Sequence, residues 1–243
     1  MAIKTTINYS PNFGVKKRKK KQVKYLVFHY TGMRSEKSAI HKLTNIQSEV
    51  SSHYFIKRNG EIIIMVPELY IAWHAGQSKW QRTWSLNNSS IGIEITNKGH
   101  EFGYQNFTKF QIKSLIKLSK YLIKKFKISK KNILGHSDIA YERKKDPGEK
   151  FPWDLLNKNG IGIWHKLSEK KLIKLRKKLV KSNEEKKFIN QLRKIGYFTK
   201  NLSINKKINL IKAFQRRYRP KLINGKIDKE NLLIACKINN SIN

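Results

Sequence analysis

The chain has seven histidines, few enough to weigh one by one, and two of them stand where chemistry is feasible. His29 sits inside the apolar run YLVFHY (25–30), flanked by Phe28 and Tyr30. A histidine so placed is either a hydrogen-bonded core residue or a ligand. His136 closes the apolar run NILG (132–135), and Asp146 follows it at the start of a Pro147-Gly148 turn. Two imidazoles and a carboxylate make a sensible hydrolytic zinc set, because three protein ligands leave a fourth position for water. Neither an HExxH nor a paired CxxC accompanies them. Spacing by itself therefore leaves the metal reading and the core reading both open.

Further candidates surround these. In IGIEI (91–95) the two-residue strand period puts Ile91, Ile93 and Ile95 on one face and Gly92, Glu94 and Thr96 on the other. Glu94 then stands beside a residue without a side chain, where a substrate can approach closely; a solvent-facing strand glutamate fits equally well. Lys144 precedes Asp146 by two, so an extended chain would point both the same way, yet nothing in the pattern singles it out among 53 basic residues. His53 and His74, in SSHYF and AWHAG, adjoin aromatic residues, and packing or groove lining suits them better than metal binding. His41, His100 and His165 lie in polar surroundings and receive no role.

The elements that must position these residues are legible as periodic runs. YLVFHY has strand length and is ended by Thr31-Gly32. Ser35 offers an N-cap for a helix to about Asn45. HYFIKRNGEIIIMV (53–66) reads as two strands joined at Asn59-Gly60, a pair favoured where both turn residues need positive φ. Between Thr108 and Phe126, residues Ile112, Leu115, Ile116, Leu122, Ile123 and Phe126 keep a helical spacing, which predicts an amphipathic helix packed on a sheet. Strands and helices intermingle, and the fold class expected is α/β, with a central mixed β-sheet flanked by helices. Residues 166–181 carry eight basic residues and one acid, and read as a basic linker helix. Three short helical patterns follow, which predicts a small C-terminal three-helix module.

Composition narrows the class. Fifty-three basic against sixteen acidic residues give +37, and removing the eight basic residues of the first 24 positions still leaves +29, so the excess is general rather than a localised binding stripe. The run KKRKKK (16–21) reads as a solvated lead-in to the first strand. A single cysteine, Cys236, excludes an intrachain disulfide, and no stretch approaches the length of a membrane span. The first residues lack the apolar segment of a secretory signal. A cytoplasmic location is expected, with a periplasmic or wall-associated one as the alternative.

Taken in order, VFHYTG, SSHYFIKRNGEI, AWHAG, SIGIEI, ILGHSDIA and KKDPGEKFPW closely resemble the zinc-dependent N-acetylmuramoyl-L-alanine amidases of the type-2 (AmpD/AmiD-like) family, over about residues 23–164. The resemblance implies one catalytic zinc ion held by His29, His136 and Asp146, with Glu94 on the family's catalytic glutamate and Lys144 on its lysine. Tyr30 stands where some relatives have Asn. IGYF, KAFQRRYRP and NGKID are similar to the peptidoglycan-binding module that follows the catalytic domain in some members. The organisation expected is a basic N-terminal arm (1–22), a catalytic domain (23–165), the linker helix (166–181) and a peptidoglycan-binding-like module (182–243). The function expected is hydrolysis of the amide between N-acetylmuramic acid and L-alanine, in peptidoglycan or in muropeptides with or without a 1,6-anhydro sugar. A non-catalytic peptidoglycan-binding protein is the alternative. A nucleic-acid binder follows from charge alone, and no recognisable nucleic-acid motif supports a specific one.

Overall fold

In the computed structural model, which describes residues 4–242, the apolar runs become strands of one sheet. The strands are β1 (Thr5–Ile7), β2 (Phe13–Gly14), β3 (Tyr25–Tyr30), β4 (Tyr54–Ile56), β5 (Ile62–Ile64), β6 (Ile71–Ala72), β7 (Lys79–Trp80), β8 (Thr83–Trp84), β9 (Ser90–Ile95) and β10 (Ile133–Gly135). The helices are α1 (Glu36–Thr44), α2 (Lys109–Phe126), α3 (His136–Ile139), α4 (Trp153–Lys158), α5 (Glu169–Leu175), α6 (Ser182–Ile195), α7 (Ile204–Tyr218) and α8 (Lys229–Asn239). Six strands pair in the order β1-β5-β4-β9-β3-β10, with β4 and β5 antiparallel and every other pair parallel. Parallel strands are covered on both faces, which is why β3 and β9 are near-continuous apolar runs rather than alternating ones.

Each face has its own cover. Leu26 and Phe28 of β3 and Ile91, Ile93 and Ile95 of β9 pack under Leu115, Leu118, Leu122 and Phe126 of α2. Thr108 caps that helix, accepting a hydrogen bond from the Gln111 amide while the Gln111 side chain answers the Thr108 amide. On the other face, Tyr25, Val27 and Leu134 share one core with Phe188, Leu192, Leu210, Phe214 and Ile234 of α6, α7 and α8. Farther along that face, Phe55, Ile63 and Met65 lie under Ala39 and Leu43 of α1. The polar residues His29 and Glu94 occupy the gap between these two covers.

Several expectations need correction. The arm does not stand outside the fold: β1 adds an edge strand beside β5, and β2 pairs with β6. Arg18, inside the supposedly solvated KKRKKK run, is only 5% exposed and donates to the carbonyls of Asn87, Ser90, Glu68 and Tyr70 at 2.7 to 3.1 Å. Residues 1–3 of that arm lie outside the described residues. The linker helix is confined to α5, and beyond it Leu179 forms a bridge with Asp228. The hairpin at Asn59-Gly60 uses a positive φ at Gly60 alone. There Lys57 accepts from Gly60 and donates to Glu61, so a three-residue loop with a glycine bulge joins β4 and β5. The three C-terminal helices are present, but because they share a core with the sheet they are a layer of the molecule rather than an appendage. Among the described residues no helix is long and apolar enough to cross a membrane.

Candidate metal centre

Sheet register sets the site. Val27 pairs with Gly92 and His29 with Glu94, while Leu134 of β10 pairs with Val27 on the other side, so His136, two residues on, emerges level with His29. The chain then makes the short turn α3 and returns, and the Ser137 amide donates to the Asp146 carbonyl at 2.8 Å. Gly135 is required at this closure: a Cβ there would come within 2.7 Å of Pro147.

Three donor atoms meet as a result. His29 Nδ1 lies 3.0 Å from His136 Nδ1 and 3.0 Å from Asp146 Oδ2, and His136 Nδ1 lies 3.1 Å from the same oxygen. Hydrogen bonds behind them dictate the tautomers. Ser90 donates its hydroxyl proton to the Leu86 carbonyl at 2.6 Å, so it accepts from His74 Nε2 at 3.1 Å. His74 Nδ1 is then an acceptor and takes the Nε2 proton of His29 at 3.0 Å, which leaves His29 Nδ1 as a bare lone pair. His136 Nε2 donates to the Ala75 carbonyl at 3.2 Å, and its Nδ1 is bare too. Two lone pairs and a carboxylate oxygen thus converge with no hydrogen to share, an arrangement that a cation relieves. Two imidazole nitrogens, each ring oriented from behind, and one carboxylate oxygen form a donor set that could hold a metal ion and that suits zinc with an open fourth position.

Electrostatics agree with that donor set. Burial, followed by the neighbouring His136, pulls His29 down to about 4. Burial also drives His74 well below the ordinary imidazole value. Both are neutral at pH 7, which metal ligation demands of His29 and which leaves His74 free to accept from it.

A cavity of about 380 Å³ opens over this centre, lined among others by Tyr30, His74, Glu94, His136, Lys144 and Asp146. Glu94 has one buried carboxylate oxygen without a hydrogen-bond partner. Burial, then the Asp146 charge, raises its proton affinity well above the ordinary value. Of the two histidines expected to line a groove, only His74 does so. His53 is fully buried away from the cavity: its Nδ1 accepts from the Gly92 amide at 3.0 Å and its Nε2 donates to the Tyr70 carbonyl at 3.1 Å. Gly92 also has a different purpose from the one expected. A Cβ at this position would lie 2.4 Å from the His74 ring, so the missing side chain makes room for a histidine rather than a substrate. Ser90 and Asn87, which hold His74 by side chain and backbone, carry no sequence signal of their own.

Comparison with known proteins agrees with this geometry. The family model described as N-acetylmuramoyl-L-alanine amidase matches residues 19–149. The N-acetylmuramoyl-L-alanine amidase AmiD of Escherichia coli K12 is 37% identical over 227 residues, covering 88% of this chain and 81% of that protein. The 1,6-anhydro-N-acetylmuramyl-L-alanine amidase AmpD of Haemophilus influenzae is 41% identical over 109 residues, covering 44% of this chain and 57% of that protein. Among solved structures, E. coli AmiD in complex with anhydro-N-acetylmuramic acid-L-Ala-D-γ-Glu-L-Lys superposes with a TM-score of 0.80 at 34% identity, covering 90% of each chain. AmpDh3 of Pseudomonas aeruginosa, in complex with anhydromuramic pentapeptide, does so with a TM-score of 0.80 at 30% identity, over 98% of each chain. By model, sequence and fold alike, the chain belongs to the N-acetylmuramoyl-L-alanine amidase family and is an enzyme of that family.

Proposed function

We propose that this amidase is zinc-dependent and hydrolyses the amide joining the lactyl group of anhydro-N-acetylmuramic acid to L-alanine of the stem peptide. The reading is carried by the convergence of His29 Nδ1, His136 Nδ1 and Asp146 Oδ2 within 3.1 Å in the floor of a cavity that also holds Glu94 and Lys144. Relatives whose solved structures contain anhydromuramyl peptides support the substrate class. Zinc, when bound, supplies a Lewis acid for the scissile carbonyl and lowers the pKa of a coordinated water.

The chain's own residues do the rest. The unpaired Glu94 oxygen takes a proton from the attacking water as the C–O bond forms, and gives it to the alanine nitrogen as the C–N bond breaks. Its raised proton affinity suits an acid that must hold that proton between the two steps. The Lys144 ammonium, at the cavity wall, stabilises the developing oxyanion, a contribution of about 3 to 4 kcal/mol for one well-placed donor. Lys42 and Lys145 on the same wall complement the carboxylates of a stem peptide.

Substitution separates these roles. His29→Ala and His136→Ala should lose bound zinc and turnover together, whereas Lys144→Met should keep the metal and lose about a hundredfold or more in kcat. Zinc retained by both histidine variants, measured by atomic emission after dialysis, would remove these side chains from the ligand set.

A further inference from the structure

Helix α7 ends on adjacent arginines that reach into the segment bearing His136 and Asp146. Arg217, 3% exposed, is paired with Asp138 Oδ2 and donates from Nη2 to the Ile133 carbonyl at 2.9 Å. The other Asp138 oxygen accepts from the Tyr197 hydroxyl, just beyond α6, at 2.6 Å. Asp138 Oδ2 also accepts from the Gly135 amide at 2.8 Å, closing the turn from which His136 projects. The Arg217 guanidinium lies 4.0 Å above the Trp153 ring, and Trp153 packs in turn on Phe28 beside His29. Arg216 approaches Glu149 Oε2 at 3.7 Å, three residues beyond Asp146. The ligand-bearing segment is thus gripped at both ends from the C-terminal helices.

A buried carboxylate or guanidinium left without its partner is strongly destabilising, so this pair ties the two layers together at one point. The helical layer has other ties besides this pair: the apolar core it shares with the sheet and a separate buried ion cluster of Arg219 with Asp228 and Glu230.

We propose that Arg217 and Tyr197 are positioning residues of the metal centre: through Asp138 they fix the Gly135–Asp138 turn and hence the direction in which His136 presents Nδ1. The inference rests on the zinc reading above. It makes the C-terminal helices part of the catalytic apparatus, whatever else they bind.

The test compares full-length Arg217→Lys and Tyr197→Phe with Arg219→Lys, which perturbs the same helical layer without touching the ligand segment. Zinc dissociation constants are read by competition with a chromogenic chelator, and folding by circular dichroism. Arg217→Lys is expected to weaken zinc about tenfold and Tyr197→Phe severalfold, while Arg219→Lys stays within twofold of wild type even where it lowers the melting temperature. Should Arg217→Lys fail to fold, Tyr197→Phe, which deletes one hydroxyl and keeps the ion pair, decides the matter. Folded variants that bind zinc within twofold of wild type overturn the proposal, as does an equal loss in Arg219→Lys. A wild-type chain that takes up no zinc sinks the zinc reading and this one together, whereas a zinc-binding wild type with unmoved variants sinks this one alone.

Discussion

Glu94 is the residue on which turnover should depend most and metal content least. Glu94→Gln keeps the shape and removes the proton acceptor, so kcat should fall about 10²- to 10⁴-fold with zinc stoichiometry unchanged; near-normal cleavage of a muropeptide by this variant would assign the base elsewhere. A second expectation concerns a histidine that is no ligand. Burial, followed by the charge of Arg18, lowers His53 from 6.5 to about 3, and its Nδ1 must stay unprotonated to accept from Gly92. The unfolded chain therefore binds a proton there that the folded chain refuses between about pH 6.5 and 3. Stability is whole above that window and lost as pH falls through it, by up to about 1.4 kcal/mol per pH unit for this group alone. His29 and His74 act in the same direction in the metal-free protein. Urea midpoints of metal-free protein at pH 7 and pH 5 check this, and equal midpoints would refute it. Residue types raised His29, His136, Asp146 and Glu94 as candidates but left a core histidine and a solvent-facing strand acid equally open, and only the order of the motifs, through the family resemblance, singled them out. The residue types did not expose the hydrogen-bond relay from His29 through His74 and Ser90 to the Leu86 carbonyl, since the tautomers of His29 and His74 are fixed by partners that lie apart in the sequence.

Strands and helices set the site through register and close approach. Gly92 of β9 makes room for His74, and Gly92→Ala should cost about 1 to 3 kcal/mol by overpacking while also weakening zinc, because the displaced ring is the one that orients His29. Thermal unfolding together with chelator competition tests both parts; a stable variant with wild-type zinc affinity would show that His74 has slack. Apolar periodicity made α2, β3, β9 and β10 readable, since each buries a continuous stripe or run. The Asn59-Gly60 turn type was not readable: a tight two-residue turn and a three-residue loop with a bulge both place glycine at positive φ, and only the Lys57–Glu61 pairing distinguishes them. The linker was over-read as helix because its lysines and leucines favour one, whereas the chain turns at Arg176 and Lys177, the latter at positive φ, and Leu179 then bridges to Asp228.

The charge of +37 belongs to the whole molecule. Screening weakens interactions of exposed charges beyond about 8 Å at physiological salt. Binding to intact peptidoglycan sacculi, which carry stem-peptide carboxylates, should therefore fall steeply between 50 and 500 mM salt in pelleting assays, while kcat on a soluble muropeptide changes little. Salt-independent retention on sacculi would assign that binding to specific contacts instead. The layered architecture was legible in the alternation of runs, but the burial of Arg18 and the shared core of the C-terminal helices were not, because a basic run and a three-helix pattern look the same whether they hang free or pack. The most direct measurement is mass spectrometry of anhydromuramyl tripeptide digests, with the chain as isolated, after chelation, and after zinc is restored. Separate anhydro-N-acetylmuramic acid and intact tripeptide should appear, vanish with the chelator and return with zinc. Cleavage that ignores the chelator, or that falls at any other bond, would show that the assignment of His29, His136 and Asp146 to a catalytic zinc ion is wrong.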